Sequence, residues 1–178
     1  VTRVVGDAKL ALSGIFDRVK AMKAQPNPNW SNKISQFREN WAEEADKANG
    51  YLRAPKVIRA LRDMMPRDAI VTTEVGQNQM WAALHYDAYL PQTFFTSGGL
   101  GTMGWGFPAA IGAKAARPDV PVVDIAGDGS FGMTENNLAT AVEEEFPVIV
   151  VVLNNNVLGM VAQWQRLFYD RRYSAVKL

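Results

Sequence analysis

The chain contains no cysteine, which excludes disulfides, thiolate zinc sites and thiol nucleophiles. It has a single histidine, His85, so Ser-His-Asp hydrolysis and histidine-rich metal sites have little to draw on. On a helix beside Tyr86, that histidine reads as a surface or interface residue. An excess of one charge is also missing: 19 Lys plus Arg stand against 18 Asp plus Glu, for a formal charge of +1. That balance gives no electrostatic footprint for nucleic acid or an anionic membrane, and Arg171-Arg172 reads as a solvated pair. The longest unbroken apolar stretch, 146–153, is far too short to span a bilayer. No charged-then-apolar signal opens the chain. No nucleic acid and no membrane are therefore expected as partners, and a cytoplasmic setting is.

What remains is an ordinary globular composition, 48% hydrophobic with nine prolines, in 178 residues. That length suits one domain with some chain left over. The start at Val1 and the polar ending read as a piece of something longer. Residues 2–7 read as a strand and turn, and 8–21 as an amphipathic helix with Leu10, Leu12, Ile15, Phe16 and Val19. Gln25-Pro26-Asn27-Pro28-Asn29 reads as a linker, and 34–48 as a charged connecting helix with Phe37 and Trp41 as its apolar points. A main domain is expected over 51–178, after a preceding tail (1–25) and a linker with connecting helix (26–50). No internal repeat or low-complexity tract interrupts it.

Within 51–178, strands and helices alternate. Pro55 suits a first helical turn, with Val57, Ile58, Leu61, Met64 and Met65 on one face. Residues 69–73 and 93–96 read as strands, the first followed by a helix with Met80, Trp81 and Leu84. Pro108 opens an alanine-rich helix ending near Arg117-Pro118. Two further apolar runs, 122–126 and Val148–Leu153, flank a helical segment that Thr134 would cap and Pro147 would end. Such alternation argues for an α/β fold with a doubly wound parallel sheet. β-α-β crossovers are right-handed in nearly all cases, so strand ends of one kind open on a single edge.

That edge carries the chemistry. Gly127-Asp128-Gly129 ends one strand; 24 residues later Asn154-Asn155 ends the next. In open α/β sheets, ligands bind at the carboxyl ends of the strands. A carboxylate and a carboxamide oxygen meeting there are hard ligands suited to Mg²⁺, which keeps positions for water and phosphate oxygens. Ser130 adds a hydroxyl, and the amides after it can face phosphate. Singly, Gly-Asp-Gly is a common turn and an Asn triplet often tolerates left-handed backbone. On consecutive strands with a helix between, the pair reads as a metal-diphosphate site. Trp164 and Phe168, four apart, read either as a core pair or as the wall of a pocket.

A rival motif lies nearby. Gly99-x-Gly101-x-x-Gly104 matches the dinucleotide fingerprint, after a strand and before a helix. That fingerprint wants an acid at the end of the following strand. Asp119 precedes that strand, Asp124 lies inside it, and Asp128 comes slightly late. A dinucleotide reading also leaves Asn154-Asn155 without a task.

Gly-Asp-Gly, 24 residues and Asn-Asn together resemble the signature of thiamine-diphosphate enzymes. The stretches 75–83, 96–104 and 158–165, with Phe168-Tyr169, resemble the large catalytic subunit of acetohydroxyacid (acetolactate) synthase in particular. The likeness covers essentially all of 51–178. It makes 1–25 the tail of a middle domain and 51–178 a thiamine-diphosphate-binding fold, truncated at its carboxyl end. Carried over by position, it implies that Asp128, Asn155 and the Val157 carbonyl ligate Mg²⁺. Gln77, Asn78, Gly101, Thr102, Met103, Asp128, Gly129, Ser130, Asn155, Gly159 and Met160 would border the cofactor; the family usually has His at the position of Asn78. Met103, the one position given a catalytic role, would hold the cofactor's rings in a V that brings its reacting atoms together. Trp164 would line the acceptor site. The implied reaction decarboxylates pyruvate and joins the product to a second pyruvate or to 2-ketobutyrate, with the cofactor's positive ring as electron sink. FAD in the full-length protein, a homodimer or larger assembly sharing its active sites, and a regulatory small subunit are implied as well. The family's activating glutamate comes from a neighbouring subunit, and no glutamate here matches its motif, so the piece alone is expected to be inactive. Glu74 receives no catalytic role. Two alternatives stay open: another thiamine-diphosphate 2-ketoacid decarboxylase or oxidase, and a noncatalytic diphosphate- or dinucleotide-binding module.

Overall fold

β-branched runs bounded by Gly, Pro and Asp form strands here because their side chains pack on both faces of a pleated sheet. In the computed structural model, which describes residues 3–46 and 52–178 (side chains of 41–46 apart), four such runs make one parallel sheet. They are β1 (Ile70–Thr73), β2 (Phe94–Thr96), β3 (Val122–Gly127) and β4 (Val148–Leu153). Their order across the sheet is β2-β1-β3-β4. Thr72 pairs with Asp124 and Phe95, and Ile125 with Val151. β1 and the first five residues of β3 are buried, while the outer strands are partly exposed.

The chain divides into two units, Val1–Lys47 and Ala48–Leu178. The first contains α1 (Ala8–Ala21) and α2 (Pro28–Asp46). Asp7 accepts from the Leu10 amide and caps α1. No described residue of this unit is buried: Leu10 and Phe16 are exposed, as expected of two helices without a sheet to cover. Residues 3–5 form no strand, and the rest of the strand expected over 2–7 begins outside the described residues. The linker is shorter than expected, because Asn27 accepts from the Asn29 and Trp30 amides and Pro28 opens the helix at once.

In the second unit, α3 (Ala54–Met64), α4 (Gln77–His85), α5 (Gly106–Ala116) and α8 (Gly159–Phe168) accompany the sheet. Ile58 of α3 and Ala82 of α4 pack with Val71, Val123 and Ile125 on one face. Ala110 of α5 packs with Ile70, Val122 and Val120 on the other. The sheet is therefore doubly wound. α3 differs from its expected face: Met64 is exposed, and Arg62 lies buried in the stripe instead. Its guanidinium donates to the Tyr86 hydroxyl and to the Met65 and Pro66 carbonyls, which offsets the cost of burying it.

The expected helix between β3 and β4 is broken into α6 (Asp128–Phe131), a 3₁₀ turn (Glu135–Asn137) and α7 (Leu138–Glu143). Thr134 caps nothing with its side chain; its Oγ1 is buried and without a partner. Pro147 does not stop α7. A Schellman turn does so first: the Phe146 amide donates to the Ala141 carbonyl and Glu145 to Val142, with Glu145 left-handed at φ 53°.

Candidate functional site

The strand order places a topological switch between β1 and β3, since the chain leaves β1 toward β2 and returns to the opposite side. A crevice at the carboxyl ends of those two strands is where such sheets take ligands. The crevice is built from the backbone outward. The Glu74 amide donates to the Ile125 carbonyl, and the Asn78 Nδ2 bridges the Glu74 and Ile125 carbonyls at 2.9 Å each. Between them Gly76 has φ 148°, and a Cβ there would lie 2.9 Å from Asn78 Oδ1. Asn78 is thus a staple joining the two central strands where they part.

After β3, Asp128 opens a single helical turn and points across to the end of β4. Its Oδ2 accepts from the Asn156 amide at 2.7 Å and more weakly from Asn155 at 3.3 Å; no described group donates to Oδ1. Asn156 takes the left-handed conformation (φ 57°) that its residue type tolerates. Asn155 Oδ1 accepts from the Val157 amide. Gln77, held by Gln163 through a 2.8 Å hydrogen bond, closes the other side. A Cβ on Gly159 would run into the end of the Gln77 side chain and lie 3.2 Å from Asn155 Nδ2, so a larger residue there would push Gln77 aside. The space enclosed is a small cleft of about 50 Å³.

The lining of this cleft includes no Lys, Arg or His, and its one formal charge is that of Asp128. Two helices nevertheless aim their N-termini at it. Gly76 precedes α4 and Leu158 precedes α8, and neither helix start has a side-chain cap. The orphan N–H groups and positive dipole ends favour an anion. A polyphosphate placed beside Asp128 without a cation would be repelled. Among the described residues no group of three or more His, Cys, Asp or Glu exists to hold a metal by itself. Asp128 Oδ1 and the Asn155 carboxamide instead offer a partial shell of hard oxygens, suited to a cation that phosphate completes. The residues present fit a metal-bound diphosphate.

Of the residues singled out in the sequence, Gln77, Asn78, Met103, Asp128, Gly129, Ser130, Asn155, Val157, Gly159 and Met160 line the cleft. Gly101, Thr102 and Trp164 do not. Thr102 is exposed and donates its amide to Ser97 Oγ. Trp164 is 54% exposed and stacks on Phe168 with ring centres 5.1 Å apart. Trp81, Leu153, Leu158 and Val161 also line the cleft without having been expected to. Trp81 lies one turn after Gln77 on α4, a spacing that could have marked it. Ser130 differs from its expected orientation: its hydroxyl is buried and donates to Glu74 Oε2.

The dinucleotide reading of Gly99–x–Gly101–x–x–Gly104 cannot use Asp124 as its acid. Asp124 is fully buried within the sheet, where Thr72 Oγ1 donates to its Oδ1. Burial, reinforced by the nearby Glu74 charge and opposed by the Thr72 hydrogen bond, pushes its carboxyl up to about 7. It cannot reach a ribose. α5 also starts ten residues after β2 ends rather than at a tight turn.

Residues 74–178 match the family described as "Thiamine pyrophosphate enzyme, C-terminal TPP binding domain", thiamine pyrophosphate being another name for thiamine diphosphate. The chain belongs to the thiamine pyrophosphate enzymes. Among curated relatives, it is 43% identical over 173 residues to the acetolactate synthase isozyme 2 large subunit of Escherichia coli, covering 96% of this chain and 32% of that one. It is 45% identical over 178 residues to the acetolactate synthase large subunit of Corynebacterium glutamicum, covering 98% and 28%. A mitochondrial acetolactate synthase catalytic subunit of Saccharomyces cerevisiae is 43% identical over 176 residues, covering 96% and 25%. The chain thus spans a third or less of the relatives it matches. No helix among the described residues is long and apolar enough to cross a membrane.

Proposed function

We propose that the full-length protein carrying this chain is the catalytic subunit of an acetolactate synthase. It would convert two pyruvates, or pyruvate and 2-ketobutyrate, into acetohydroxyacids and CO₂. The observation that carries the site reading is the charge pattern of the cleft. A lining with one carboxylate and no cationic side chain, faced by two uncapped helix starts, suits a diphosphate only together with a divalent cation. Asp128, Asn155 and the Val157 carbonyl would hold Mg²⁺, and the amides opening α4 and α8 would bind the phosphate oxygens. Gly129 and Gly159 keep side chains out of the approach; at Gly129 a Cβ would lie 2.8 Å from Leu158 Cδ2. Met103, from the loop before α5, would support the cofactor from below and fix its bent shape. When bound, thiamine diphosphate supplies the electron sink for decarboxylation. The protein's part is to orient it, to exclude water along Trp81, Leu153 and Val161, and to present the second ketoacid.

The substrate assignment is supported by relatives that are 39–45% identical to this chain over the aligned segment and are named acetolactate synthase subunits. Names such as "large subunit" support a small regulatory partner. FAD, an assembly with active sites shared between subunits, Trp164 as an acceptor-site residue and work in the cytoplasm belong to the same proposal. The test is product analysis of the full-length protein with pyruvate, thiamine diphosphate and Mg²⁺. Acetolactate is expected; acetaldehyde, acetate or acetyl phosphate in its place would assign the chain to another 2-ketoacid decarboxylase or oxidase.

A further inference from the structure

Glu74 is completely buried, yet among the described residues no cation meets it. Its carboxylate instead accepts three hydrogen bonds from two separate loops. Oε2 accepts from the Gly104 amide at 2.9 Å and from Ser130 Oγ at 2.5 Å, and Oε1 accepts from the Phe107 amide at 2.9 Å. The Gly104 amide also donates to Ser130 Oγ at 3.0 Å. One side chain at the end of β1 therefore ties together the loop that carries Met103, the first turn of α5, and the turn that carries Asp128.

The backbone on the far side of the tie has no slack. Gly104, adjacent to Met103, is left-handed at φ 78°, and a Cβ there would lie 2.9 Å from Thr134 Cγ2 and 3.3 Å from Met133 Cβ. The loop is pinned at its other end by the Thr102 amide on Ser97 Oγ. Met103 thus stands between two fixed points, and the second is set by Glu74. A carboxylate suits this position because all three partners donate. A carboxamide at the same place would turn an N–H₂ toward an N–H in either orientation.

We propose that Glu74 is a positioning residue: it sets the height of Met103 in the cleft relative to the Asp128 turn. This rests on the function reading above, in which Met103 supports the cofactor. Displacement of a supporting group by about 1 Å can cost about 100-fold in rate, so the tie matters out of proportion to its stability.

The test compares Glu74→Gln, Met103→Ala and the double variant in the full-length protein. Thiamine diphosphate affinity in the presence of Mg²⁺ is read from tryptophan fluorescence, and kcat and KM for pyruvate are normalised to cofactor-loaded sites. Glu74→Gln is expected to weaken cofactor binding by about 10-fold and to lower kcat by roughly 10- to 100-fold, with KM changed little. If Glu74 acts through Met103, the double variant loses no more kcat than Met103→Ala alone. A purely structural role would lower the amount of folded protein while leaving kcat per loaded site unchanged, and that result overturns the proposal. Losses that multiply in the double variant overturn it too. Should Glu74→Gln fail to fold, Ser130→Ala removes one member of the tie, and the same non-additivity with Met103→Ala decides. If the wild type makes no acetolactate, the function reading falls by itself, and cofactor affinity still decides the role of Glu74: about 10-fold weakening supports it, and none overturns it.

Discussion

Asp124 is expected to make the stability of this domain fall as pH rises from acid to neutral. Its carboxyl is pushed from 3.8 to about 7 in the folded protein, first by burial and then by the Glu74 charge, with Thr72 opposing. For an acid raised in this way, both states are protonated below about pH 4 and no penalty exists. Between about 4 and 7 the unfolded chain releases the proton while the folded chain keeps it, so the unfolded state gains. Above about 7 both are ionised and the difference stays constant. At 1.36 kcal/mol for each pH unit of that window, the loss amounts to about 4 kcal/mol. Asp124→Asn removes the titration. The carboxamide oxygen can still accept from Thr72, and its nitrogen replaces Oδ2, which has no partner. Whatever fixed cost the unpartnered carboxamide N–H₂ adds, the stability of the variant relative to wild type should rise by several kcal/mol between pH 4 and pH 8. Native-state amide exchange at β3 reads the opening of this unit without requiring two-state unfolding of the whole protein. Parallel pH profiles for variant and wild type would refute the reasoning.

Other consequences are local. Gly106→Ala puts a Cβ 2.6 Å from the Glu74 nitrogen and the Thr73 carbonyl carbon; backbone cannot yield there, so loss of more than about 4 kcal/mol is expected in thermal unfolding. Phe107→Ala empties a fully buried site beside Phe131, whose ring lies 5.4 Å away, and should cost about 3–5 kcal/mol by urea titration. Gly159→Ala displaces Gln77 and breaks its bond to Gln163. It should weaken thiamine diphosphate binding by at least about 10-fold, with the melting temperature of the apo protein lowered little; unchanged affinity would show that the cleft has another use.

The sheet was legible in the sequence because its strands are short β-branched runs between Gly, Pro and Asp. The four expected runs match the four observed strands to within one residue at either end. The meeting of the 127–130 turn with 154–156 was legible for the same reason: the parallel crossover dictates it. Capping and burial of polar groups were not. Whether Thr134 or a Schellman turn shapes the segment before β4 depends on a left-handed glutamate, which propensity disfavours. Arg62 and Glu74 were invisible as core residues because their burial depends largely on partners far along the chain, Tyr86 alongside the nearby Met65 and Pro66 carbonyls for one, and Gly104, Phe107 and Ser130 for the other. Helical spacing pairs Trp164 with Phe168, but it says nothing of which way the pair faces.

In the proposed site, the cleft holds a diphosphate only through a divalent cation on Asp128. Titration of the full-length protein with thiamine diphosphate, with and without Mg²⁺, in wild type and Asp128→Ala, tests it directly. Mg²⁺-dependent binding is expected in the wild type, and loss of that dependence, with weak binding throughout, in the variant. Tight binding that needs no Mg²⁺ and survives the substitution would contradict it.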